Sequence, residues 1–166
     1  MKKILILLLI TLSTVFLLSG CRITTVEQAI LAAESNGTIP KLNHDNTIMG
    51  PDKDKNGIRD DIDTYIATLP YTEVQKKAVK QHAKALSASL TVDTTDKTAL
   101  LKVADDMSRA SKCVYKKLTD NTPSKIKSDN EKMIVNTKNR FLQYEKFNSA
   151  LSGGVFSSPD GDGCDN

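Results

Sequence analysis

The stretch TEVQKKAVKQHAKALSASL, residues 72–90, carries the clearest indication of the fold. Its apolar residues recur three and four positions apart, which is the spacing of one face of an α-helix. They are Val74, Ala78, Val79, Ala83, Leu86 and Leu90. Thr72, followed three residues later by Gln75, has the pattern of a capping box. The stretch therefore predicts an amphipathic helix that begins after Thr72.

Segments on both sides show the same helical spacing, and no stretch alternates with period two for long enough to predict a strand. Two helix-start patterns, Thr122-Pro123 and Ser128 with Glu131, precede the last apolar stripe. The predicted helices cover residues 25–36, residues from within 58–63 to 69, residues 72–90, a segment that follows Asp93 or Thr94 and runs to Leu118, and a final stripe from Ile134 to Leu151. We predict an all-α protein, a small antiparallel helical bundle.

The composition limits the class of protein. The chain has 166 residues, of which 39% are hydrophobic and 26% charged, which suits one domain with a modest core. This balance excludes a polytopic membrane protein and a fully disordered chain. Without Lys2 and Lys3, which lie in a segment expected to be removed, 21 Lys and Arg face 20 Asp and Glu. A nearly neutral body gives no electrostatic basis for binding nucleic acid.

The first 21 residues have the pattern of an export signal. Met1-Lys2-Lys3 is positive, and the apolar run from Ile4 to Leu18 is shorter than the ~20 residues that span a bilayer. Leu18-Ser19-Gly20-Cys21 resembles the lipobox of bacterial lipoproteins at every position. The resemblance implies cleavage before Cys21, acylation of its thiol and a stable membrane anchor. The alternative is an ordinary secretory signal with a chance cysteine.

Cys113 and Cys164 would then remain as a pair in an exported chain. In an oxidising space such as a Gram-negative periplasm, that pair predicts a disulfide that tethers the C-terminal tail. A buried free Cys113 with an intermolecular Cys164, or a redox role, are the alternatives. Because Arg22 rather than Asp follows Cys21, the lipoprotein resemblance implies the outer membrane, with the protein facing the periplasm.

The chain divides into four predicted regions. Residues 1–20 are a lipoprotein signal peptide, and 21–50 are the acylated N-terminus, a short helix and a linker that contains Pro40 and Gly50. Residues 51–151 are a calcium loop with the helical domain, and 152–166 are the disulfide-tethered tail.

The twelve residues DKDKNGIRDDID, 52–63, have the pattern of a metal-binding loop. Oxygen side chains stand at loop positions 1, 3, 5, 9 and 12, and Gly57 stands at position 6, where calcium loops turn sharply. Position 7 is aliphatic and position 8 is Arg, so the spacing resembles the loop of thrombospondin type 3 repeats more closely than an EF-hand. The resemblance implies calcium, with these ligands: Asp52, Asp54, Asn56, the carbonyl of Ile58, Asp60 and Asp63. The alternative is an Asn-Gly turn followed by aspartates that suit a helix N-terminus.

Gly50-Pro51 directly precedes the loop, so no helix enters it as in EF-hand sensors. We therefore expect a constitutive structural calcium site with a Kd on the order of 10⁻⁴ to 10⁻³ M, as in extracellular modules. The motif Asp160-Gly161-Asp162-Gly163 lacks the later ligand positions and reads as a solvated acidic turn.

Catalytic patterns are absent from the sequence. His82 lies among apolar residues at helical spacing, and His44 lies in the linker, so neither suggests a base or a metal ligand. There is no nucleophile elbow, no His-Glu-x-x-His and no phosphate-binding loop. We expect a non-catalytic lipoprotein of the outer membrane that binds an envelope protein, by analogy a pilotin-like accessory. The other hypotheses are an inhibitor or immunity lipoprotein against a toxin or wall-degrading enzyme, and a calcium-dependent hydrolase.

Overall fold

A computed structural model describes residues 26–119 and 122–165, and over these residues it contains six α-helices and no strand. The helices are α1 (Val26–Ser35), α2 (Asp60–Thr68), α3 (Glu73–Ser89), α4 (Lys97–Lys117), α5 (Pro123–Ile134) and α6 (Lys138–Ala150). The predicted all-α fold class is confirmed. Within the described ranges, no helix is both long enough and apolar enough to cross a membrane. The predicted signal peptide, Cys21 and Thr25, the first residue of the first predicted helix, lie outside the described residues.

Helix α3 is the centre of the fold, since it packs against α2, α4, α5 and α6. Its predicted capping box is present, with Thr72 Oγ1 accepting from Gln75 N and Gln75 Oε1 accepting from Thr72 N. Gln75 Nε2 also donates to Lys117 O at 3.2 Å, so the start of α3 meets the end of α4 and the two helices are antiparallel.

The core lies between α3 and the apolar faces of its neighbours. Burying each Leu, Ile or Val side chain contributes about 1.5–3 kcal/mol, so these contacts supply most of the driving force for folding. The fully buried apolar side chains with the largest volumes are Phe147, Ile62, Ile66, Leu118, Met133, Ile134, Val79 and Val114.

The helix predicted to follow Asp93 or Thr94 begins two to three residues later than expected, at Lys97. Asp96 is the actual N-cap, because its carboxylate accepts from Thr98 N and Ala99 N. The carboxylate of Asp93 instead accepts from the backbone N and the hydroxyl of Thr95, which makes a turn before the helix.

The predicted start at Ser128 is wrong, because Ser128 lies inside α5. The last stripe is also divided between two helices, since α5 ends at Ile134 and Thr137 caps α6 by accepting from Arg140 N. Asn136, between them, is fully buried, and its side chain bonds Asn43 O, 3.0 Å away, rather than pointing to solvent. The turn between the two helices is therefore anchored to the segment that contains Asn43.

The predicted disulfide between Cys113 and Cys164 is present and joins α4 to the C-terminal tail. The tail approaches α4 closely at Gly163, which has a φ of +78°. A Cβ atom at this position would lie 2.3 Å from Arg109 O, so only glycine permits the contact.

Candidate metal site at the start of the second helix

Three acidic side chains converge where the acidic loop, residues 52–63, enters α2. One carboxylate oxygen from each of Asp52, Asp54 and Asp60 lies within 4.8 Å of the others. Asp52 and Asp60 are partly buried, while Asp54 is exposed. Three of the six predicted ligands are therefore close enough to share one ion.

The backbone winds tightly around Asp52. Its Oδ1 accepts from Asn56 N at 3.1 Å and its Oδ2 accepts from Gly57 N at 2.9 Å. The turn requires left-handed backbone at Lys55, with a φ of +57°, and at Gly57, with a φ of +87°. Glycine adopts this conformation without cost, which explains the residue type at position 6.

Asp60 closes the loop from the first residue of α2. Its N donates to Pro51 O at 2.8 Å, and its Oδ1 accepts from Lys53 N at 3.0 Å. The two ends of the loop are thus held together by the residue predicted to be the position-9 ligand.

The other predicted ligands occupy different surroundings. Asn56 Oδ1 accepts from Ile58 N at 2.8 Å, and the side chain of Ile58 is buried in the core. Asp63 Oδ1 lies 2.8 Å from Lys80 Nζ on α3. Asp61 is not one of the predicted ligands, and its carboxylate accepts from Asn43 N and from Arg59 Nε, each at 2.6 Å.

The donor set fits a hard divalent cation. Oxygens that share one calcium ion at ~2.3–2.6 Å lie no more than about 5 Å apart, which the three carboxylates satisfy. Carboxylate oxygens without imidazole or thiolate are the ligands that such cations prefer. A cation would also relieve the repulsion among Asp52, Asp54 and Asp60.

The sequence does not indicate that two arginines next to this loop, Arg59 and Arg140, are buried. Arg140 is fully buried and donates to the carbonyls of Asn43, Thr47 and Ile48 at 2.8–3.0 Å. Burial, and then the charge of Arg59, lowers the pKa of Arg140. The segment that the sequence presents as a linker is therefore fastened along the helical body.

Arg59 continues the same network from position 8 of the loop. Its guanidinium donates to Met133 O at 2.9 Å and to Asn136 Oδ1 at 3.2 Å, and Arg140 donates to the same Asn136 oxygen at 2.7 Å. No sequence pattern identifies these residues, because an isolated Arg within a polar segment normally reads as solvated.

His44 and two aspartates of the tail each pair with a single charged side chain. His44 Nε2 lies 2.8 Å from Glu34 Oε1, away from the acidic loop's ligands. In the tail, Asp162 pairs with Lys117 at 2.9 Å and Asp165 pairs with Arg109 at 3.3 Å. The acidic tail is thus exposed but tied to α4.

The chain was compared with models of known protein families, with curated proteins and with solved structures, and none of the three comparisons finds a match.

Proposed function

We propose that the protein is a non-catalytic interaction module of the cell envelope, anchored by a lipid on Cys21 and stabilised by calcium in the acidic loop. The lipobox-like residues 18–21 support the anchor. A disulfide is typical of exported proteins, and the Cys113–Cys164 bond therefore supports the compartment. The Asp52, Asp54 and Asp60 cluster supports the cation.

One groove is the proposed binding surface for a partner. It has a volume of about 510 Å³ and lies between the acidic loop, α3 and the C-terminal tail. Asn56 and Ile58 of the loop form one wall, and Cys164 and Asp165 of the tail form the other. A cation in the loop and the disulfide in the tail would each hold one wall in place, which reduces the entropy cost of binding a partner.

The charges in this groove indicate the chemistry of the partner. Four lysines and two aspartates line it. Lys80 pairs with Asp63 and Lys117 pairs with Asp162, but no acidic side chain in residues 26–119 or 122–165 pairs with Lys77 or Lys84. The partner is a protein segment with acidic side chains, because it would neutralise the two remaining charges.

Charge reversal tests this surface directly. The full-length protein, solubilised in detergent, is used to capture its partner from envelopes with calcium or with chelator. We expect a stoichiometric partner with the wild type and with a Lys138→Glu/Lys146→Glu control, whose substitutions lie on α6. Lys77→Glu/Lys84→Glu should lose it.

A partner held equally by both variants would contradict the assignment of the groove. Weaker capture with chelator would support a role for the cation in shaping the groove. A partner indifferent to chelator would limit the cation to stabilising the fold. A captured toxin or wall-degrading enzyme would instead support the inhibitor or immunity function.

The anchor is tested separately by labelling cells with an alkyne analogue of palmitate. The wild-type protein should carry the label and remain in the outer-membrane fraction, whereas Cys21→Ala should lose both. Label that persists in Cys21→Ala would contradict the lipobox interpretation.

A further inference from the structure

A second groove, distinct from the metal site, lies among α3, α4 and α5 and has a volume of about 440 Å³. Four serine hydroxyls line it, Ser108 and Ser111 from α4 and Ser124 and Ser128 from α5. Cavities of about 300–1,000 Å³ are the size that proteins use for small ligands. The groove is thus large enough for a small molecule and unusually rich in hydroxyl groups.

The deepest polar group in this groove is His82, whose side chain is buried and 6% exposed as a residue. Asn130 Nδ2 donates to Val79 O at 3.2 Å, and this bond sets the orientation of the amide. The same Nδ2 lies 3.3 Å from His82 Nδ1, so Nδ1 is the acceptor. In the neutral ring, Nε2 therefore carries the proton.

His82 Nε2–H has no hydrogen-bond acceptor among the described residues. Burial, and then the charge of Lys127, lowers the pKa of His82 to about 4, so the ring is neutral near pH 7. With Nδ1 turned towards the buried Asn130, Nε2 is the nitrogen left for a ligand. Nε2 is not among the buried side-chain atoms of the described residues that lack a partner, so it is open to the groove, where a ligand oxygen can accept from it.

The rest of the groove favours a neutral ligand. Lys127 and Glu131 both line it and carry opposite charges, and Lys127 Nζ lies 4.8 Å from the centre of the Tyr115 ring. Tyr115 Oη lies 2.9 Å from Ser124 Oγ, which places an aromatic ring beside hydroxyl groups at the rim. Hydroxyls both donate and accept, so the walls suit a ligand that does the same.

We propose that this groove binds a neutral saccharide, either free or as a unit of a glycan. The sugar would place one oxygen on His82 Nε2–H, bond its hydroxyls to the serines and lay an apolar ring face against Tyr115 in place of the Lys127 ammonium. The proposal is independent of the metal site, because none of the acidic-loop residues lines this groove.

Calorimetric titration of the full-length protein in a detergent without sugar groups tests the proposal. The probes are maltose and N,N′-diacetylchitobiose, with glucose 6-phosphate as an anionic comparison. We expect saturable binding of at least one neutral disaccharide, unchanged by chelator, and weaker binding of the phosphate ester. In a nitrogen–proton correlation spectrum, the same sugar should shift the Nε2–H resonance of His82.

Three variants make the test specific. His82→Phe keeps a ring but removes the donor, and we expect at least tenfold weaker binding. Tyr115→Ala changes a half-exposed side chain, so it should fold normally and also weaken binding at least tenfold. Ser149→Ala, on α6 and outside the groove, should bind as the wild type does.

Failure of the wild type to bind either neutral sugar would overturn the proposal. Binding that survives both His82→Phe and Tyr115→Ala would place the sugar elsewhere and overturn it equally. Tighter binding of glucose 6-phosphate would show that the groove selects anions.

Discussion

Asp63 Oδ1 lies 2.8 Å from Lys80 Nζ, so a lysine of α3 holds the carboxylate that the loop pattern assigns to the last calcium ligand. Both side chains are partly exposed, and such ion pairs contribute about 0–1 kcal/mol. Lys80 is therefore a weak competitor that a bound cation can displace from Asp63.

Replacing Lys80 should strengthen cation binding. We expect Lys80→Met to tighten calcium binding by up to about fivefold, the equivalent of ~1 kcal/mol, because Asp63 becomes free to reach the ion. Calcium titration by calorimetry measures the change, with Lys138→Met as the control on α6. In an Asp63→Asn background the gain should disappear, and a gain of the same size there would exclude Asp63 as a ligand.

Arg140 should be essential for stability. We expect Arg140→Ala to lower the free energy of unfolding by about 3–5 kcal/mol, because the carbonyls of residues 43, 47 and 48 lose their buried donor. Urea denaturation followed by circular dichroism measures this. The adjacent Asn139→Ala is exposed and should change stability by no more than about 0.5 kcal/mol. Similar effects for the two variants would refute the structural role of Arg140.

The contrast between predicted and unpredicted features has a physical basis. The capping box at Thr72 and the disulfide of Cys113 were predictable because each depends on local residue types or on pairing by elimination. The clustering of Asp52, Asp54 and Asp60 follows from the periodicity of one short loop. None of these features requires knowledge of how the helices pack, so the sequence alone is enough to predict them.

The unpredicted features depend on residues far apart in the sequence. Arg140 bonds Asn43 across 97 positions, and Asn136, which follows the end of α5, bonds the same residue. The helical spacing of apolar residues does not predict the burial of Arg140. The carbonyls that accept from Arg140 belong to residues 43, 47 and 48, a segment without regular secondary structure. The engagement of Asp63 by Lys80 is likewise a contact between two helices.

The buried His82 should make stability depend on pH. Its pKa is about 4 in the folded protein against 6.5 for the free side chain, so the unfolded chain takes up a proton first as the pH falls. The stability present above pH 6.5 should therefore be lost progressively towards pH 4, by up to about 3 kcal/mol. Glu131, Lys127 and Tyr144 also line its groove, and all three are present in both the wild type and the His82→Gln variant.

Urea denaturation at a series of pH values measures the slope. Comparing the wild type with His82→Gln isolates the histidine, because the other titrating groups are common to both. We expect a shallower dependence between pH 6.5 and 4 in the variant. Parallel curves would show that His82 is protonated equally in the folded and unfolded states.

The disulfide should contribute to stability mainly by restricting the unfolded chain. The two cysteines are 51 positions apart, for which the chain-entropy model gives about 4 kcal/mol. Cys113→Ala/Cys164→Ala should lower the urea midpoint accordingly, and reductant should lower that of the wild type but leave the variant unchanged. A wild-type midpoint insensitive to complete reduction would contradict this contribution.

We propose that the acidic loop binds a calcium ion that stabilises the fold, and thermal unfolding tests this binding most directly. With ~10 mM calcium and a Kd on the order of 10⁻⁴ to 10⁻³ M, the Tm of the full-length protein should rise by roughly 3–8 °C relative to chelator. Asp54→Ala should abolish the rise, while Asp105→Ala, an exposed carboxylate on α4, should retain it. A wild-type Tm that calcium leaves unchanged, or an equal rise in Asp54→Ala, would contradict the account.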